Sequence, residues 1–323
     1  MKRLLLLICL VLAISARAQT THNHQIKQTK HGTLLKFKAD PKAGYNFDYL
    51  LYLPAKLQQG TTTYLMVETN NTGKLNDTIA VHEQAAIHAA SEGGVALYVA
   101  EKLGLPLLVP IFPRPASDWQ LYTHALDRDT FLTKDEQLQR LDLQLIAMIN
   151  AARKELAARQ YQVKEQIFIT GFSASGTFAN RFSLLHPHMV KATASGGINA
   201  IPILPVCRLE GKRLEYPLGV ADIKKETGSK ADIAAFAKVP KLLYMGELDD
   251  NDAVAFDDAY SAEERQLVYD LMGKYLPERW AFVQKVYKDE GIEADFRTYN
   301  GIGHGTDRKI NNDLVEFFRK YLD

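Results

Sequence analysis

Cysteine is almost missing from this chain of 323 residues; Cys9 and Cys207 are the whole complement. Cys9 lies in a stretch that reads as a removable leader, so Cys207 stands alone and no intramolecular disulfide can form. Long apolar runs are missing too. The run from Leu4 to Ile14 falls well short of the roughly 20 residues that a membrane-spanning helix needs, which excludes a stable membrane anchor. Neither sign of charge dominates, since 39 Lys+Arg against 38 Asp+Glu give a formal net charge of +1. No basic stripe is interleaved with aromatics, so nucleic acid is excluded as a partner. There is no Gly-rich phosphate loop, no internal repeat and no low-complexity tract.

Metal chemistry fits poorly as well. His82-Glu83 with His88 has only the outline of a zinc-protease motif, because six residues turn a helix through about 600° and set the two histidines on different faces. The acidic run from Asp249 to Asp252 lacks the spaced ligands and terminal Glu of a calcium loop. His22-Asn23-His24 lies in a polar start, Gln19 to His31, expected to be mobile. No metal and no cofactor are expected.

What is present begins with an address. Met1-Lys2-Arg3 is basic, Leu4 to Ile14 is apolar, and Ala16-Arg17-Ala18 is a small-residue cleavage site. Residues 1–18 are therefore expected to be a signal peptide, and 19–323 one folded domain that is secreted or periplasmic. Ile8, not a small residue, precedes Cys9, which argues against lipid attachment there.

Strand and helix patterns then alternate. Tyr49 to Leu53, Thr63 to Val67 and Leu107 to Phe112 read as strands, and Ile79 to Leu103 as a helix interrupted at Gly93-Gly94. Thr133 and Glu136 predict a capping box for a long helix carrying Leu138, Leu141, Leu145, Ile149 and Ala152 on one face. Val190 to Ser195 is a further short strand. Ser261 with Glu264 predicts a second capped helix, interrupted by Pro277, and Ile310, Leu314, Phe317 and Tyr321 stripe the last one. The pattern predicts an α/β fold, with a mostly parallel sheet covered by helices on both faces. Residues 198–239 are the least regular part and are expected to form a short cap-like insertion.

The most informative stretch is Gly171-Phe172-Ser173-Ala174-Ser175-Gly176, between the apolar run Ile167-Phe168-Ile169 and a predicted helix. A serine flanked by small residues on a strand-to-helix turn exposes its hydroxyl above a parallel sheet. Downstream, Lys241 to Met245 reads as a strand running into Gly246-Glu247-Leu248-Asp249, and Phe296 to Tyr299 as a strand running into Asn300-Gly301-Ile302-Gly303-His304. A Ser, an Asp and a His thus each follow a strand end, where open α/β sheets bind ligands. The order Ser, Asp, His resembles the α/β-hydrolase superfamily. Within it the chain looks most like secreted bacterial esterases and the poly(hydroxyalkanoate) depolymerase-like group.

The resemblance implies a serine hydrolase of carboxylic esters, with a small-molecule or polymer ester as its partner. Ser173 is the expected nucleophile, His304 the base and Asp249 the acid, with Asp252 next in line. Ala174 is expected to supply one oxyanion N–H. The loop after Thr63 to Val67 departs from the superfamily's usual His-Gly pair, and Asn70 and Asn71 are the candidates for the second donor, by backbone or side chain. Ser175 stands where glycine is usual. Trp119, Tyr122, His124 and Arg128 are candidate substrate-binding residues, while Arg114 fits a structural ion pair better than a substrate anion. Two formal glycosylation sequons, at Asn70 and Asn76, fall in or beside the oxyanion loop, where a glycan would block entry; that favours a bacterial source. A serine peptidase on the same fold and a non-catalytic binding protein are the rival classes.

Overall fold

The computed structural model describes residues 24–322, so the leader expected over 1–18 falls outside the described residues. Among the described residues eleven strands occur, in chain order β1 His24–Gln28, β2 Gly32–Phe37, β3 Tyr49–Pro54, β4 Thr62–Val67, β5 Leu107–Pro110, β6 Gln162–Phe172, β7 Val190–Gly196, β8 Arg208–Leu209, β9 Lys212–Arg213, β10 Lys241–Gly246 and β11 Asp295–Tyr299. The short pair β8-β9 stands apart as a hairpin. The other nine form one sheet in the order β1-β2-β3-β5-β4-β6-β7-β10-β11. The first three pairings are antiparallel, and from β5 to β11 every pairing is parallel.

Both faces of this sheet are buried, which is why its central strands are apolar throughout rather than alternating with polar residues. Alternate side chains feed two separate cores. On one face Leu65, Ile167, Ile169 and Leu243 pack with Leu145, Met148 and Ile149 of helix Leu141–Ala158 and with Phe178 and Phe182 of helix Ala174–Leu185. On the other, Met66, Phe168 and Leu242 pack with Ala96 and Val99 of helix Val95–Leu103 and with Leu314 and Phe318 of helix Arg308–Arg319. Among the described residues no helix is long and apolar enough to cross a membrane.

Several local expectations are corrected. The polar start is not loose along its whole length, because His24–Gln28 pairs with β2 and extends the sheet. No capping box forms at Thr133. Residues Asp129–Leu132 make their own short helix, Thr133 Oγ1 accepts the N–H of Asp135 at 3.1 Å, and the long helix begins only at Leu141. What fixes that later start is a buried carboxylate. Asp142 accepts from Arg140 Nε at 2.9 Å and from His186 Nε2 at 2.8 Å, so the first helical turn is tied to the end of the Ser173 helix. Pro277 does not break a helix either. It sits in the first turn of a separate helix, Leu276–Asp289, where its missing N–H costs nothing. The Ser261–Glu264 capping box does form, at the head of helix Ala262–Met272.

Burial alone would raise the Asp142 carboxyl, but His186 and Arg140 overcome it and hold it down to about 2. A depressed acid stabilises the fold above its unfolded-state value and loses that contribution as pH falls through the folded one. Asp142→Asn is therefore expected to cost about 2 kcal/mol at pH 5. The gap from wild type in denaturant unfolding should close progressively between pH 4 and pH 2. A gap that stays constant over that range would contradict the assignment.

Candidate active site

The turn at Ser173 is built by close approach. Its backbone has φ 61° and ψ −129°, an uncommon conformation for a residue with a side chain. The Ser173 N–H donates to Gly196 O at 2.8 Å, holding the turn against the end of β7. A Cβ at Gly176 would lie 2.7 Å from Gly196 O, so only glycine fits there. Ser175, the departure from the usual glycine, is put to use. Its hydroxyl donates to Phe172 O at 2.9 Å and accepts Phe172 N–H at 3.0 Å, which staples the strand end to the first helical turn. Ala174 opens helix Ala174–Leu185, where the first N–H groups have no intrahelical partner.

The acid and the imidazole arrive from neighbouring parallel strands. Gly246 at the end of β10 lies opposite Tyr299 at the end of β11, and the two following loops cross at once. Glu247 N–H donates to Tyr299 O at 2.9 Å and Leu248 N–H to Ile302 O at 2.8 Å. This crossing brings Asp249 to His304, with Nδ1 at 3.0 Å from both carboxylate oxygens. Asp249 is buried and His304 is partly open to solvent. The imidazole also packs on Phe172, the neighbour of Ser173, with ring centroids 4.8 Å apart.

Asp252 does not compete for His304. It binds Arg279 through both oxygens, at 2.8 and 2.7 Å, and caps Val254 N–H at 3.0 Å. Asp250 is exposed. Because the Arg279 guanidinium is fully buried, removing its anion leaves an uncompensated charge. Asp252→Asn is expected to lower stability by about 3 kcal/mol in urea unfolding. A variant of wild-type stability would overturn that account of the pair.

The loop after β4 is arranged differently from expectation. The Asn70 side chain is buried and consumed: Nδ2 donates to Phe112 O at 2.8 Å, and Oδ1 accepts Phe112 N–H at 3.0 Å. It clamps two strand ends together and cannot serve an oxyanion. Asn71 Oδ1 accepts Gly73 N–H at 3.1 Å in a local turn. Neither asparagine lines the cavity at Ser173. His124 is also corrected. It is fully buried, with Nε2–H donating to Phe112 O at 2.9 Å, and so cannot touch a substrate. Burial pushes its imidazole down to about 3, keeping it neutral.

The remaining candidates divide. Ser173 opens on a cavity of about 30 Å³, whose walls include Tyr122, Thr177, Arg181, Asn199 and Tyr260. Beyond Tyr260 lies a cleft of about 950 Å³, where Trp119 and Arg128 stand on the walls with Arg213, Glu215 and Pro217 of the irregular segment. Trp119 is 45% exposed there. The Arg128 charge is taken by Asp222 at 2.5 Å, with Tyr216 O at 2.8 Å. Arg114 pairs with Asp258 and lies over the Tyr122 ring at 3.6 Å, the structural role expected of it. Among the described residues no three His, Cys, Asp or Glu side chains converge as a metal-ligand group. His82 instead sits buried between Thr72 Oγ1 and Asn76 O, each at 2.7 Å.

No protein-family model and no curated protein matches the sequence. Solved structures match in architecture. Poly(aspartic acid) hydrolase-1 from Sphingomonas sp. KT-1 aligns with a TM-score of 0.55 at 16% identity, over 91% of this chain and 99% of that one. The LpqC poly(3-hydroxybutyrate) depolymerase from Bordetella parapertussis aligns at 0.54 and 15% identity, over 90% of each chain. An S-formylglutathione hydrolase from Agrobacterium tumefaciens aligns at 0.51 and 13%, over 92% of this chain and 98% of that one. The chain has the α/β-hydrolase fold. At such identities the likeness concerns the fold, and the chemistry of this chain is argued from its own side chains.

Sequence patterning missed Arg181, Asn199 and Tyr260, which share the cavity with Ser173. For Arg181 a signal existed. It is a charge between Phe178 and Phe182, on a helix with almost no solvent-facing side.

Proposed function

We propose that this protein is a serine hydrolase that cleaves carboxylic esters through Ser173, His304 and Asp249. The observation that carries the proposal is the contact of Asp249 with His304 Nδ1, beside a serine on a strained strand-to-helix turn. Asp249 holds the proton on Nδ1, so the lone pair of Nε2 is the one available to a nucleophile. Ser173 Oγ gives its proton to Nε2 and attacks the ester carbonyl. The tetrahedral oxyanion takes the N–H of Ala174, with the backbone N–H groups of Asn70 and Asn71 as the candidates for its second donor. The imidazolium returns its proton to the leaving alcohol, leaving an acyl-serine. Water, deprotonated by the same imidazole, then releases the acid and restores the serine.

The architectural neighbours support the same reaction class, being hydrolases and a depolymerase by their own descriptions. Export through cleavage of residues 1–18 belongs to the proposal, as does a role for residues 198–239 as a short cap on one wall of the site.

Ser173→Ala deletes one atom on a half-exposed turn, so the fold should survive while hydrolysis of p-nitrophenyl esters is lost. A fluorophosphonate probe should label the wild type and not this variant. Equal labelling of both would move the nucleophile elsewhere, and labelling of neither would support a binding protein instead. Asp249→Asn is expected to lower kcat by about 10⁴, since the amide favours the wrong imidazole tautomer. A variant that keeps more than a tenth of wild-type kcat would remove Asp249 from the triad.

A further inference from the structure

Tyr122 carries a hydroxyl that the fold leaves unused. The residue is half-buried and lines the cavity that Ser173 and Ala174 also line. It is held by its ring and its backbone. Arg114, itself fixed by Asp258, lies over the ring at 3.6 Å, and the Tyr122 N–H donates to Asp127 Oδ2 at 2.8 Å. None of these contacts involves Oη, which has no hydrogen-bond partner among the described residues. A tyrosine hydroxyl drawn into the protein usually finds one.

The cavity beside it has the size of a single oxygen. Its volume of about 30 Å³ is one water's share of the liquid, so a chain cannot enter but the oxygen of a reacting carbonyl can. Ala174 stands on its wall at the head of helix Ala174–Leu185, where the first N–H lacks an intrahelical partner and the helix favours negative charge. An oxyanion site needs more than one donor. Asn70 and Asn71 do not reach this cavity.

Other polar groups on the walls have partners. Asp127 accepts the N–H groups of Tyr122 and Thr130, Thr177 Oγ1 donates to Ser173 O at 3.3 Å, and Arg181 donates to Ala125 O at 3.0 Å and to Tyr260 Oη at 3.5 Å. Tyr260 and Asn199 carry donors too, but they arrive from the opposite side. In the sheet, β5 and β4 lie on one side of β6, while β7, β10 and β11 lie on the other. Asn199 follows β7, Tyr260 follows β10 and His304 follows β11; Tyr122 comes from the loop after β5. The leaving alcohol occupies the side of the imidazole that protonates it, so the oxyanion faces away from His304. Burial raises the Tyr122 phenol above its ordinary value, with Arg114 opposing the shift, so Oη keeps its proton at neutral pH.

We infer that the Tyr122 hydroxyl donates to the oxyanion beside the Ala174 N–H, the place for which the backbone of Asn70 and Asn71 is the alternative. This inference rests on the serine-hydrolase reading above.

Tyr122→Phe removes one oxygen and keeps the ring beneath Arg114. On p-nitrophenyl acetate it is expected to lower kcat by about 10² to 10³, the cost of one oxyanion donor, with KM nearly unchanged. A trifluoromethyl ketone adds to Ser173 Oγ as a hemiketal anion, and its Ki should rise by a comparable factor. Urea unfolding should match wild type. A variant that keeps more than a tenth of wild-type kcat would overturn the inference. So would one that unfolds, because the hydroxyl would then be structural, or one that loses kcat with no change in Ki. A greater loss of kcat in Tyr260→Phe or Asn199→Ala would move the donor to that residue. If the wild type cleaves no ester and fluorophosphonate fails to label Ser173, the serine-hydrolase reading fails and takes this inference with it.

Discussion

The site depends on the crossing of two loops immediately beyond β10 and β11. A Cβ at Gly246 would lie 2.2 Å from Ile302 O, so the backbones meet there with no side chain between them. Two backbone hydrogen bonds then lock the crossing, and Asp249 and His304 inherit their separation from it. Parallel pairing supplies the rest of the alignment. Gly246 is level with Tyr299 across one pair of strands, and Phe172 with Gly196 across another. Residues 173, 249 and 304 are far apart in the chain, yet each leaves the sheet at the same edge. Little flexible loop has to be ordered to assemble them, which keeps the entropic cost of the site low.

The loops around this centre are held by charge as well as by the apolar packing of residues such as Ile198 and Val254. Arg114 with Asp258 and Arg279 with Asp252 join segments distant in sequence, and both arginines are buried. Such pairs contribute little over apolar replacements of equal volume, but losing one member is costly. They therefore act mainly as constraints on which loop conformation is allowed. The same holds for Asn70, whose amide matches both backbone polar groups of Phe112. An apolar residue there would leave the buried N–H of Phe112 unpaired and its carbonyl to His124 alone.

Those distant pairings mark the limit of what could be read from the sequence. The Ser173 turn, the strands before Asp249 and His304, and the two-sided burial of the sheet have local signatures: small residues, apolar runs and periodic stripes. The choice among Asp249, Asp250 and Asp252 has none. In the structure they differ by distant partners: Asp249 contacts His304 Nδ1, while Arg279, 27 residues on, claims Asp252. His124 and Asn70 misled for a related reason. Polar residues after a strand end look like site residues until a partner elsewhere is seen to use them, and both are used by Phe112. The Thr133 capping box failed because Asp142, bonded to Arg140 and to His186, determines where the first turn can start. A local capping pattern worth about 1 kcal/mol yields to such a contact.

Helix Ala174–Leu185 states this in reverse. Nearly all of it is buried, so each polar residue must find a partner inside the protein. Ser175 finds Phe172, Ser183 donates to Asn180 O at 2.7 Å, and Asn180 Oδ1 accepts the Ile203 N–H at 2.8 Å. Each of these closes a requirement of the fold. Arg181 Nη1 donates to Ala125 O at 3.0 Å, and the arginine's charge favours the ionised carboxyls of Asp127 and Glu264 against the burial that raises them. The positive charge is thus part of how the loops above the helix are held, as it is for Arg114 and Arg279.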